Sequence, residues 1–382
     1  MALVSLALDA LVVLDAIVVV EIARRSLVVW WQGRSAAHRE LASCATLVLR
    51  PVKGDESWIE ENLGDRIEHA SHGGRTTEAI SVEADHDPAH EAALRLARAV
   101  PSVHVSAGAL AVPNPKVAHL AFALERLPRC ERVLVVDADV VPRSIDTYAL
   151  AQALEDPDVD AAWQPVVEGR GSTIGDALSE AILLGSFHAF PLLGLLDDGG
   201  LVGKVSVVRT TALDAIGGLA TLGDVLGEDM ALAASVRARG RRTAMVSRVA
   251  RSSAHGRSVR EVFDRFVRWT LVTKSQRPGK LVSYPLFFFP LPIVAFAALV
   301  GASEHAMLRA GVALGTRIAL VTLGVARAGA WRRFAAMVLL APAADLLLAA
   351  AWLRALAMRT VSWRGTRMRL MRGGRLVRDN AC

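Results

Sequence analysis

Apolar residues gather at the two ends of this 382-residue chain and leave a mixed, periodically patterned middle. Residues 3–23 form a hydrophobic run about as long as a bilayer core is thick. Arg24 and Arg25 close it, and the interfacial pair Trp30 and Trp31 follows. A second apolar region fills residues 281–357, while residues 40–275 carry charges throughout. In that middle stretch, short apolar runs recur at 45–49, 79–82, 103–105, 133–136 and 205–208, separated by helical segments. Such alternation predicts an α/β domain, a mostly parallel sheet covered by helices on both faces. Right-handed crossovers then gather the strand ends on one side. No internal repeat or low-complexity segment interrupts the pattern.

Four segments follow: an N-terminal transmembrane anchor at 1–31, the α/β domain at 40–275, C-terminal transmembrane or interfacial helices at 281–357, and a basic cytoplasmic tail at 358–382. The first run has no basic segment before it and no small-residue cleavage site after it, so it reads as a retained anchor rather than a secretory signal. Its positive flank lies on the C-terminal side, which puts the α/β domain in the cytoplasm. Segments 285–302 and 307–326 suit a hairpin. A third full crossing at 334–357 would leave the arginine-rich tail outside, so an interfacial or re-entrant helix is expected there, interrupted by Pro342, Asp345 and Arg354. Asp15 and Arg317 fall inside expected spans. An unpaired charge at midplane costs about 2.5–3.5 kcal/mol on insertion scales. Either the two residues pair with each other, or one or both lie nearer the interface.

Composition agrees with a membrane protein. Hydrophobic residues make up 53% of the chain and mean hydropathy is +0.35, too apolar for an ordinary soluble enzyme. The net charge of +6 comes with a tail cluster of Arg359, Arg364, Arg367, Arg369, Arg372, Arg375 and Arg378. Beside a hydrophobic segment, anionic lipid headgroups are a better partner for that cluster than nucleic acid. Cys44, Cys130 and Cys382 have no metal-ligand or redox spacing, which fits a reducing cytosolic face.

The candidate chemistry begins where Arg132-Val-Leu-Val-Val breaks on Asp137-Ala-Asp139. Open α/β sheets bind ligands beyond the carboxyl ends of their strands. Mg²⁺ or Mn²⁺ beside a diphosphate takes oxygen ligands, usually one or two carboxylates with phosphate oxygens and water. Two carboxylates there suit a nucleotide-sugar site. A strand followed by a solvated acidic turn accounts for the same residues.

The wider pattern decides between them. Pro51-Val-Lys53-Gly54-Asp55-Glu56 with Glu61-Asn62-Leu63 is followed by Asp87-Pro88-Ala89, Asn114-Pro115-Lys116-Val117, Asp137-Ala-Asp139, Gly203-Lys204, Gly217-Gly218, Glu228-Asp229 and Arg265-Phe-Val-Arg268-Trp269. This ordered set resembles the ceramide glucosyltransferase family, membrane-bound inverting glycosyltransferases with a GT-A fold. The closing Val361-Ser-Trp363-Arg364-Gly365 is similar to the tails of bacterial hopanoid-biosynthesis glycosyltransferases, which would place the chain in a bacterial inner membrane. Single motifs of this kind are weak, and the ordered set is strong.

The resemblance implies roles. Asp137 and Asp139 hold a divalent cation, Mg²⁺ or Mn²⁺, on the diphosphate of a UDP-sugar, Asp139 being the direct ligand. Asp229 is the general base that deprotonates the acceptor hydroxyl of a membrane lipid, transferring a hexose, glucose in the simplest case, with inversion. Arg265, Arg268 and Trp269 share a helix face by their spacing. Their guanidinium groups suit a diphosphate, although a basic amphipathic helix on a membrane has the same pattern. His188 matches a family histidine near donor or acceptor. Lys53 belongs to the first donor loop, and Lys116 either contacts the nucleotide or caps the helix it starts. Gly217-Gly218 suits a turn with positive φ. The chain departs from the family at Ala84, where an acidic residue normally meets the uracil or ribose; Glu83 or Asp85 then supplies that contact. Two other functions stay open: a processive polysaccharide synthase, for which the C-terminal helices are too few, and a catalytically silent protein that binds nucleotide sugar or lipid.

Overall fold

The computed structural model describes scattered positions between 6 and 24, and residues 44–54, 58–65, 75–100, 102–169, 171–187, 200–289, 306–363 and 366–378. The chain divides into two compact units. One comprises Ala36–Val166, Leu193–Ala254 and Thr360–Cys382; the other comprises Met1–Ser35, Val167–Leu192 and His255–Arg359.

The expected α/β architecture is present in the first unit. Its strands begin with β1 (Thr46–Pro51), β2 (Thr76–Val82), β3 (Val103–Ala107), β4 (Arg132–Val136) and β5 (Val159–Trp163). β6 (Val166–Glu168) lies at the division, with Val167 and Glu168 in the other unit; the first unit continues with β7 (Val205–Arg209), β8 (Arg242–Met245) and β9 (Ala250–Ser252). Seven of them form one sheet in the order β3-β2-β1-β4-β7-β5-β8. The run β3-β2-β1-β4 is parallel, as is β5-β8, but β7 lies antiparallel to both β4 and β5. The sheet is therefore parallel except for one central strand. Every residue of β1 is buried, as expected of a strand covered on both faces. On one face Ile80, Val82 and Val103 pack with Ile59, Leu63, Ala89 and Ala93. Elsewhere Val48, Leu134, Val136 and Val207 pack with Leu150 and Leu154.

Two helices of this unit start at loops that matter for the site. Asp87 accepts from Ala89 N to cap Pro88–Ala99, and Asn114 accepts from Lys116 N and Val117 N to cap Pro115–Leu124. Each has proline at its first helical position, where the missing N–H has no intrahelical partner to lose. Most of the region read as a basic tail is folded. Strands β10 (Thr360–Trp363), β11 (Thr366–Leu370) and β12 (Leu376–Arg378) form an antiparallel sheet. The period of two buries Val361, Met368 and Leu376 and exposes Arg367 and Arg369.

The second unit is built of helices, chiefly Ile174–Gly185, Val259–Gln276, Ala306–Ala328 and Phe334–Ala357. Contrary to the expectation, among the described residues no N-terminal helix is long and apolar enough to cross a membrane. Among the described residues, the helices long and apolar enough to cross a membrane are two, Ala306–Ala328 and Trp331–Ala357, both C-terminal. Length and apolarity alone suggested the N-terminal span, yet the run contains Asp9, Asp15 and Glu21. Of these, Asp9 is paired with Arg309 at 2.7 Å and Glu21 with Arg24 at 2.8 Å. Much of that run, including Asp15, lies outside the described residues, as does most of the expected segment 285–302.

A second correction concerns Arg317. It pairs with Asp345, and both side chains are almost wholly buried; the expected partner Asp15 lies outside the described residues. Arg317 also donates to the Gly185 carbonyl at 2.5 Å, which satisfies a carbonyl at the C-terminal end of Ile174–Gly185. Asp345 therefore does not interrupt the helix that carries it. Phe334–Ala357 runs through Pro342 without a break. Close helix packing depends on Gly324, where a β-carbon would lie 1.9 Å from the Leu184 carbonyl oxygen.

Candidate active site

The acidic pair stands where the sequence places it, directly beyond β4. Asp137 N–H donates to the Lys204 carbonyl at 2.9 Å, which fixes the loop against the start of β7. Ser253 N–H donates to the Asp139 carbonyl at 2.7 Å, and Asn62 Nδ2 donates to the Ala138 carbonyl at 2.8 Å. The backbone of all three residues is thus held by neighbouring segments, leaving the carboxylates to act.

Two lysines meet those carboxylates. Lys116 Nζ lies 2.7 Å from Asp137 Oδ1 and 3.3 Å from Glu228 Oε1. Lys204 Nζ pairs with Asp139 Oδ2, which also accepts from Ser252 Oγ at 2.9 Å. Burial works against the charge on Lys116, but Asp137 and Glu228 outweigh it and hold the ammonium above its usual range. Burial raises the Asp137 carboxyl above its ordinary value; Lys116 opposes this and Asp139 adds to it.

Asp229 is the second residue of the helix Glu228–Ala238, whose N-cap Gly227 adopts a left-handed φ of 79°. Its carboxylate has a fixed orientation. Oδ2 accepts from Gly203 N at 3.0 Å and Oδ1 accepts from Met230 N at 2.8 Å. Burial first, and then the Glu228 charge, push its pKa up to about 6, against the smaller lowering effects of Gly203 N–H and Lys116. A carboxylate poised near neutrality is suited to accept a proton.

Asp137, Asp139, Glu228 and Asp229 with Lys116 and Lys204 form one linked cluster: four carboxylates against two ammonium groups leave two negative charges. Among the described residues there is no group of three side chains able to hold a metal by itself. The donor chemistry nevertheless fits a divalent cation that arrives with a diphosphate, because two hard carboxylate oxygens are what such a cation asks of a protein. Asp137 and Asp139 are the residues that would hold it.

The other expected residues are distributed as follows. Lys53 pairs with Glu83, so the carboxylate considered for the donor base is already engaged. Asp85 is largely exposed, 3.9 Å from His90 Nε2. Asp87 accepts from Gly54 N at 2.8 Å and so ties the loop after β1 to the helix it caps. Gly217 and Gly218 have φ of 86° and 90°, as expected of that turn. Arg265, Arg268 and Trp269 belong to the helical unit. There Arg265 bonds Glu168 and Ser179, and its guanidinium carbon lies 5.2 Å from the Trp269 ring centre, the face-sharing that the spacing predicted. His188 lies outside the described residues. The sequence offered no role for Lys204, Glu228, Asn114 or Ser252. Lys204, Glu228 and Asn114 stand within the ordered motif set, and Asn114 also has the form of a capping residue before Pro115; Ser252 carried no signal.

Residues 11–376 match the model of glycosyl transferase family 21. Ceramide glucosyltransferase 1 of Caenorhabditis elegans is 24% identical over 247 residues, covering 63% of this chain and 52% of the relative. The chain thus spans about half the length of that relative. Among solved structures, the mannosyltransferase PcManGT from Pyrobaculum calidifontis, in complex with GDP-Man and Mn²⁺, is 18% identical. The alignment covers 92% of this chain and 99% of that one, with a TM-score of 0.49. Glucosyl-3-phosphoglycerate synthase from Mycobacterium tuberculosis, in complex with Mn²⁺, UDP and phosphoglyceric acid, is also 18% identical. It covers 60% of this chain and 78% of its own, with a TM-score of 0.38.

Proposed function

The chain belongs to glycosyl transferase family 21, and from that premise we propose that it moves a hexose, glucose in the simplest case, from a UDP-sugar to a lipid hydroxyl with inversion. The observation that carries the reading is the cluster itself. One lysine, Lys116, links the Asp-x-Asp pair to the turn that bears a fixed, near-neutral carboxylate, Asp229.

Asp229 is the base. Its two oxygens are oriented by Gly203 N–H and Met230 N–H, and each keeps acceptor capacity for an incoming proton. The acceptor hydroxyl gives its proton to Asp229 as its oxygen forms the bond to the anomeric carbon. The bond from that carbon to the UDP oxygen breaks with its electron pair going to UDP. Attack opposite the leaving group inverts the centre. Lys116 and Lys204 supply positive charge beside the two aspartates, where a diphosphate is to be held. A bound Mg²⁺ or Mn²⁺ supplies Lewis acidity toward the departing diphosphate. Lys53 and Asp85 are proposed for the base and ribose end of the donor. Arg268 and Trp269 keep the donor and acceptor roles that the family pattern implies, whereas Arg265 is committed to Glu168 and Ser179.

The two long apolar helices support an integral membrane protein, and the exposed Arg367 and Arg369 of β11 suit anionic headgroups. Cys44 and Cys130 are free thiols, which accords with a catalytic unit in a reducing cytoplasm. The test is transfer from radiolabelled UDP-sugars to lipid extract in purified membranes, with wild type beside Asp229→Asn. Organic-phase product that disappears in the variant supports the reading. Label in insoluble polymer would instead identify a processive synthase, and UDP binding without turnover a silent binding protein.

A further inference from the structure

The C-terminal sheet ends against the loop that leads to Asp229. Its last turn passes through two successive left-handed glycines, Gly373 (φ 73°) and Gly374 (φ 82°), a conformation that a β-carbon disfavours. The turn delivers the Gly374 carbonyl to Leu226 N–H at 2.8 Å, and Leu376 N–H donates to the Asp224 carbonyl at 2.6 Å. Between those two bonds Val225 and Arg375 pair as an antiparallel bridge, and Arg375 Nε donates to Asp224 Oδ2 at 3.0 Å. The same loop is held a second time by the wholly buried Asn114. Its N–H donates to the Gly223 carbonyl at 2.7 Å, and its Nδ2 donates to the Val225 carbonyl at 3.0 Å and Glu228 Oε2 at 3.3 Å. The helix carrying Asp229 at its second position starts three residues after Val225.

We infer that the C-terminal sheet is a clamp on this loop, and that Gly374, Arg375 and Leu376 are positioning residues for Asp229. The inference rests on the reading of Asp229 as the base. Between Gly223 and Gly227 the chain is neither helix nor sheet strand, with a glycine at each end to give it freedom. The two backbone hydrogen bonds from the sheet and the Asn114 side chain remove that freedom directly before the helix start. A misplacement of about 1 Å in a reacting group costs up to about a hundredfold in rate, so the clamp has a kinetic consequence. The turn and last strand thereby act on Asp229 through the loop that precedes it.

Leu376→Pro tests this because it deletes the N–H given to Asp224, and proline is tolerated at sheet edges. Arg375→Ala, which removes only the exposed side-chain pair with Asp224, is the milder companion. Full-length protein in detergent is compared with wild type for amide hydrogen exchange over residues 222–232, UDP binding and kcat. In Leu376→Pro, exchange over 224–230 is expected to rise about tenfold and kcat to fall about tenfold, with UDP affinity held within about twofold. Arg375→Ala moves exchange and kcat the same way by less, and Arg375→Lys restores part of the loss. Should Leu376→Pro fail to fold, Arg375→Ala with Gly374→Ala carries the comparison. Unchanged exchange over 224–230 overturns the clamp, and so does faster exchange with unchanged kcat. Full turnover by Asp229→Asn overturns the base reading and, with it, the catalytic part of this inference, while the exchange data still report whether the sheet holds the loop.

Discussion

A β-carbon built on Gly203 would lie 3.0 Å from the β-carbon of Asp229, while the Gly203 N–H donates to Asp229 Oδ2 at 3.0 Å. The same residue therefore orients the carboxylate and leaves it room. Gly203→Ala should push the Asp229 side chain by a few tenths of an ångström and stretch that hydrogen bond. The expected result is a fall in kcat of about tenfold with the KM for UDP-sugar near wild type. Stopped-time assays across donor concentration check it, and a rise in KM with kcat intact would contradict it.

Turnover and stability should respond to pH in opposite directions through Asp229. An unfolded aspartate ionises near 3.8, whereas folded Asp229 holds its proton up to about 6, so between these values the folded chain binds more protons. Its contribution to stability is full below pH 3.8 and is lost as pH rises through about 6. Turnover needs the carboxylate and therefore rises over the same interval, with an acid limb near 6. Glu228→Gln removes the like charge beside Asp229, so the limb should move to lower pH; burial keeps it above the ordinary value. The kcat profile of the variant between pH 4 and 8 reads this directly.

Removing one partner of the Arg317–Asp345 pair should be costly. Both groups are buried among helices, and breaking such a pair strands a charge at about 3–5 kcal/mol. Asp345→Ala and Arg317→Met should each lower the unfolding midpoint strongly in detergent. The double variant should be less destabilised than the sum, a coupling that a double-mutant cycle measures.

Chelation of divalent cations with EDTA should abolish turnover, and added Mn²⁺ or Mg²⁺ should restore it. Asp139→Asn should weaken Mn²⁺ binding in the presence of UDP, followed by the Mn²⁺ resonance signal, by about tenfold or more. Activity indifferent to EDTA would remove the metal role from Asp137 and Asp139.

Some of the fold was plain from residue order because burial on both faces leaves a recognisable trace. The Val and Leu runs of β1 and β4 have it, and the apolar positions of β2 and β7 keep part of it. Strands β5 and β8 do not: Val-Asp160-Ala-Ala-Trp163 and Arg242-Thr-Ala-Met245 mix small and charged residues, and Asp160 is buried through pairing with Arg239 and Arg241. The direction of β7 was equally hidden, since an apolar run reads the same in a parallel or an antiparallel neighbour. The N-terminal run has the length and apolarity of a span, but those properties do not outweigh Asp9, Asp15 and Glu21 within 3–23. At the arginine-rich end, a count of charges does not reveal the period of two that makes Thr366–Leu370 a strand.

Residue order by itself determined the α/β class, the placement of Asp137 and Asp139 beyond a strand, and the candidacy of Asp229, because each is written in local pattern or in an ordered set of motifs. Tertiary structure alone decided that Lys116 and Lys204 meet those aspartates, that Arg317 answers Asp345, and that Gly374 and Leu376 bond the loop before Asp229. Those relationships join residues tens to hundreds of positions apart. Periodicity cannot record them, because they exist only once the backbone hydrogen bonds of the sheet and the packing of the helices have set distances between segments that the chain leaves independent.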